Sequence, residues 1–119
     1  FPEMPQTKTF YEIQYYKIEH CDPAAVMGYI LALESVAAND LKWLNEKLTA
    51  LYGKECAKLI QVHADDDPDH VEKALQLING LHESRLSEIN INIEQTAHCY
   101  NNILDACQAR AGGKIKKAA

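Results

Sequence analysis

The sequence predicts an all-α fold, a helical bundle, on three observations. Apolar residues recur every three or four positions through most of the chain. Asp-Pro pairs and glycines punctuate those stripes where helices would start and stop. Strand alternation is almost absent, and the one period-two stretch, Ile89 to Ile93, stands alone.

A chain of 119 residues is expected to form a single domain. Its folded core is placed at residues 8–109, with flexible ends at 1–7 and 110–119. The contents, 47% hydrophobic and 24% charged, are ordinary for a globular protein. A net charge of −5 argues against a nucleic-acid partner, which needs a basic face. No apolar run approaches the ~20 residues of a membrane span, so no membrane partner is expected. No secretory signal is visible. Cys21, Cys56, Cys99 and Cys107 form no Cys-x2-Cys pair, which predicts free thiols and a cytoplasmic location.

Residues 1–7 carry Pro2 and Pro5 and read as an irregular lead-in. Residues 8–20 form the first helix, with Phe10, Tyr11, Ile13, Tyr15, Tyr16 and Ile18 as bulky apolar members. Asp22-Pro23 is a helix start, Asp as N-cap and Pro at the first helical position. Met27, Leu31, Glu34 and Ala38 follow at offsets 0, 4, 7 and 11, a stripe with one carboxylate in it. Asn39-Asp40 is a place to bend or restart the helix. Leu41, Leu44, Leu48 and Leu51 continue at 0, 3, 7 and 10, and Gly53 closes the helix. Trp43 and Tyr52 are read as packing residues. The next helix opens after Gly53 and is expected to kink or break near residues 65–68, because Pro68 removes a backbone donor. A stripe of His70, Ala74, Leu77 and Leu81 follows, weakened by Gly80. Residues 82–109 read as a long helix striped by Leu86, Ile89, Ile93, Ala97, Tyr100, Leu104 and Cys107. Asn90 and Asn92 are poor helix formers and predict irregularity there. Gly112-Gly113 ends it, before a tail bearing Lys114, Lys116 and Lys117.

The chemistry concentrates in His63-x3-Asp67-x2-His70. At about 100° per residue, offsets of four and seven lie within about 60° of one another. Two imidazoles and a carboxylate would share one face, a set suited to a divalent metal with open positions such as non-haem iron. Cys56, Ile60, His63 and Asp67 repeat at 0, 4, 7 and 11, so both histidines are expected to point inward. Glu34 is the fourth candidate ligand. A buried carboxylate costs several kcal/mol unless a metal, an Arg or a hydrogen-bond network takes it up. The plainer readings stand beside these. Glu34 sits at a stripe edge in water, Asp67 is an N-cap, and the acidic run is a solvated turn. His20 faces a helix C-terminus, His82 is a helix-start residue, and His98 pairs with Glu94 at the surface.

Asp22-Pro23, Gly28-Tyr29, Leu33-Glu34 and the later His63, Asp67 and His70 together resemble the haem-oxygenase-like dimetal oxidases. These are iron-containing redox enzymes related in fold to TenA and PqqC proteins. The resemblance covers roughly residues 9–105. It implies a haem-oxygenase-like bundle without haem, and metal ligands at Glu34, His63, Asp67 and His70. It implies one or two Fe(II) ions, with manganese as the alternative metal. The implied activity is a dioxygen-dependent oxidation of a small organic substrate. Tyr29, beside the Glu34 helix face, could donate an electron or proton, or simply pack. Family members are longer, and an earlier helix supplies another Glu and another His. The chain therefore resembles the C-terminal part of such an enzyme, completed by an N-terminal half or a partner chain. A homodimer stays open.

Two other readings remain. One is a non-catalytic metal-binding or helical interaction module. The other is a TenA-like hydrolase, for which Cys56 is a poor nucleophile because it reads as core.

Overall fold

Proline and glycine set most of the helix boundaries in the computed structural model, which describes residues 2–112 with the side chains of residues 65–68 left undescribed. The basic tail from Lys114 onward lies outside the described residues. Four α-helices carry the fold: α1 (Pro5–His20), α2 (Val26–Tyr52), α3 (Lys54–Asn79) and α4 (Glu83–Arg110). A 3-10 turn, Pro23–Ala25, leads into α2, and no strand occurs among the described residues. The expected all-α bundle class is what forms.

The lead-in is shorter than expected, because Pro5 opens α1 itself, where a missing N–H costs nothing. Asp22 caps the turn as predicted, its Oδ1 accepting from the Ala24 N–H at 2.9 Å. Arg85, at the start of α4, donates to both Asp22 oxygens at 2.7 and 2.9 Å. Gly53 joins α2 to α3 at φ 86°, a backbone region that side-chain-bearing residues avoid. His82 caps α4, accepting from the Ser84 N–H at 3.2 Å.

Neither expected site of interruption ends its helix. α2 runs unbroken through Asn39 and Asp40; Asn39 Nδ2 donates to the Ser35 carbonyl at 2.7 Å and so stays within the helix. α3 runs unbroken past Pro68, so one lost backbone bond is outweighed by the packing of the whole helix on α2.

α2 is the centre. α3 folds back antiparallel along its length, and α4 lies beside its N-terminal half. α1 runs antiparallel to α4, with Phe10 6.3 Å from Tyr100 between ring centroids. α3 makes no substantial contact with α1 or α4. Gly28 allows α4 to approach α2 closely. A Cβ there would collide with the Ile89 carbonyl oxygen and lie 3.1 Å from Asn92 Cβ.

The stripe expected on α4 is rotated. Its buried members are Ile89, Asn92 and Thr96, while Ala97, Leu104 and Cys107 are exposed. Asn92 causes no irregularity. Its Nδ2 donates to Gln14 Oε1 and to the Ala25 carbonyl, both at 2.8 Å, tying α1 and α2 to α4. Lys17 is buried too, and its ammonium lies 3.2 Å from Glu88.

The expectation about apolar runs was too strict. Pro23–Tyr52 is long and apolar enough, by length and composition, to cross a membrane. The central helix of a bundle passes the same test, and this one carries exposed Asp40, Glu46 and Lys47.

Candidate metal centre

The seam between α2 and α3 runs through small residues of α3. Ala57 and Ala74 are buried and Ala64 is half-buried, so the two backbones approach closely. The stripe holding the histidines lies beside that seam. Both histidines are therefore exposed rather than inward-facing, and so are Cys56 and Leu77 of the same stripe.

Exposure does not separate them from Glu34. His70 Nδ1 lies 3.3 Å from Glu34 Oε2, joining residues 36 apart in sequence. The side chain of His70 is 49% exposed and that of Glu34 26%. Glu34 is thus a partly wetted carboxylate at the edge of its stripe, with an imidazole as partner. His63 lines a shallow groove of about 220 Å³ together with Glu34, Leu33, Ala37 and Leu41. Glu34 therefore neighbours both histidines, one level of α3 apart. Because α3 is continuous, position 67 falls on the same helical face as 63 and 70. The Asp67 side chain lies outside the described residues. Among the described residues, no three His, Cys, Asp or Glu side chains are gathered closely enough to hold an ion.

Tyr29 is placed on the other side of α2. Its ring packs on Phe10, centroids 5.2 Å apart, and lines a groove with Tyr11, Gln14, Tyr15 and Ile18. Burial pushes its hydroxyl above the ordinary tyrosine value. Cys56 is exposed, and none of the four cysteines is in a disulfide.

The donor chemistry fits a divalent ion as far as Glu34 and His70 reach. Two ligands about 2.1 Å from one ion and at right angles to each other stand about 3.0 Å apart. The carboxylate–imidazole separation is close to that. The groove-lining residues Leu33 and Ala37 escaped the sequence reading. The signal was present as a heptad stripe, Ile30, Leu33, Ala37, Leu44 and Leu51, hidden by treating residues 39–40 as a break.

Neither a family model, a curated protein nor a solved structure matches the chain.

Proposed function

We propose that the chain is the metal-holding part of a non-haem iron oxidase acting on a small organic substrate with dioxygen, with a haem-oxygenase-like fold. The observation that carries this reading is the Glu34–His70 contact, two strong ligand types at ligand spacing across a helix seam. Glu34 and His70 would hold the ion, His63 adds an imidazole in the same groove, and Asp67 adds a carboxylate from the same face of α3. Iron, in one or two copies and with manganese as the alternative, supplies dioxygen activation when bound. Remaining ligands come from an N-terminal half or a partner chain. Leu33, Ala37 and Leu41 line the groove floor with apolar surface suited to an organic substrate. Pro68 supports the reading indirectly. A helix that keeps a proline two residues from a candidate ligand breaks a local rule where function is proposed. The reading places the protein in the cytoplasm and leaves Tyr29 out of the chemistry.

A second reading, a non-catalytic metal-binding or helical interaction module, is favoured by one observation: no three candidate ligands gather among the described residues. Anaerobic Fe(II) titration followed by metal analysis and dioxygen uptake decides between them. The oxidase binds iron and consumes dioxygen on exposure to air. Glu34→Ala and His70→Ala each lower iron affinity at least tenfold. Iron bound without dioxygen uptake supports the second reading, and no iron bound sinks the metal centre.

A further inference from the structure

The α2–α3 hairpin carries an apolar face that none of the described residues of α1 or α4 covers. On α2 it is the stripe Ile30, Leu33, Ala37 and Leu51. On α3 it is Leu59, His63, His70 and Leu77, at offsets 0, 4, 11 and 18 and so on one side of the helix. The Glu34–His70 contact and the groove shared by Leu33 and His63 show that the two stripes adjoin. Leu51, Leu59 and Leu77 are 71%, 69% and 64% exposed, unusual for leucines on a regular stripe. α1 and α4 pack on α2 against Gly28, Tyr29, Val36 and Leu44, while Leu51, Leu59 and Leu77 stay exposed.

We propose that a second copy of this chain docks on this face, two α2–α3 hairpins closing a four-helix bundle with both Glu34–His70 pairs inside. Three observations favour a second copy as occupant. The first is area. The chain exposes 8784 Å², against about 6,500 Å² for a compact chain of its mass. An excess of that order leaves room for the ~800 Å² that one chain buries in a stable dimer. The second is shape. α2 and α3 are 27 and 26 residues long, so two hairpins related by a two-fold along the helix direction match over their full length. The third is the polar pair itself. Such a two-fold keeps both Glu34–His70 pairs at one level, so two carboxylates and two imidazoles supply the number of donors that one chain's described residues lack.

The shared site rests on the metal reading above, while the docking does not. Sedimentation equilibrium on the full chain with chelator, then with Co(II) as probe, tests both. The expected result is a dimer in chelator, tightened at least tenfold by Co(II), with cobalt absorption from tetrahedral or five-coordinate sites. The double variant Leu59→Glu, Leu77→Glu should be a helical monomer by circular dichroism. It should bind Co(II) at least tenfold more weakly although every candidate ligand is intact. A wild-type monomer at hundreds of micromolar overturns the proposal, and so does a double variant that still dimerises. A dimer lost in the double variant but indifferent to Co(II) upholds the docking and overturns the shared site. A chain that floats with lipid vesicles and is monomeric without them gives the face to a membrane and overturns the dimer.

Discussion

Gly28 shows how one missing side chain can set a helix packing. Alanine there gains about 1 kcal/mol in helix propensity. The added methyl, however, meets the Ile89 carbonyl and the Asn92 side chain, and a backbone oxygen in a packed helix has little room to yield. The collision wins, so Gly28→Ala should destabilise by about 2 kcal/mol or more in urea unfolding. A wild-type midpoint would mean that α2 and α4 are free to separate there. Asp22 gives a pH dependence of known sign. Hydrogen bonds from Arg85, first, and from the Ala24 N–H hold its carboxyl below the ordinary aspartate value. Its contribution is therefore present above about pH 3.9, the unfolded value, and is lost as pH falls through the folded one. Asp22→Asn should flatten the melting temperature between pH 5 and pH 2 and lower it at neutrality. A variant whose acid limb is as steep as wild type would assign that limb to other carboxylates.

At the scale of the element, the helix ends were legible and the helix interiors were not. Asp22, Gly53 and His82 act through neighbours within three residues, so their roles follow from local sequence. Neither expected site of interruption ends its helix, because a residue's local cost does not include what the whole helix gains by packing. The stripe on α4 was misplaced for a related reason. Asn92 reads as polar, yet partners 78 and 67 residues away take up its hydrogen bonds. The same blindness turned the histidines inward on paper, since nothing local says that Ala57 and Ala74 form the α2 seam. Of the expected convergence of Glu34, His63, Asp67 and His70, the structure brings Glu34 and His70 together and sets His63 in the same groove as Glu34; that expectation rested on resemblance as much as on spacing. Pro68 offers a direct test of element energetics. It leaves the Ala64 carbonyl without its helical donor. Pro68→Ala should stabilise the protein by about 1–3 kcal/mol. A loss of stability instead would show that the proline is used by the fold.

The whole molecule divides into two unequal kinds of contact. Around Gly28, three helices meet, and Gln14, Asn92 and the Ala25 carbonyl close a buried network. Toward the other side, α3 packs chiefly on α2 and keeps exposed residues along its second flank. α4 is held by α1, the Pro23–Ala25 turn and α2 together, while α3 is held chiefly by α2, so α3 amides have the lower free energy of exchange. Hydrogen exchange on the monomeric Leu59→Glu, Leu77→Glu variant should therefore be slowest at Ile89, Asn92 and Thr96. In α3 it should be faster by at least tenfold. In the wild-type chain, adding Co(II) should slow α3 more than α4, because the Glu34–His70 contact joins α2 to α3. Equal slowing of both helices would mean that the ion acts on global stability alone. No slowing in α3 would take the metal away from the α2–α3 seam.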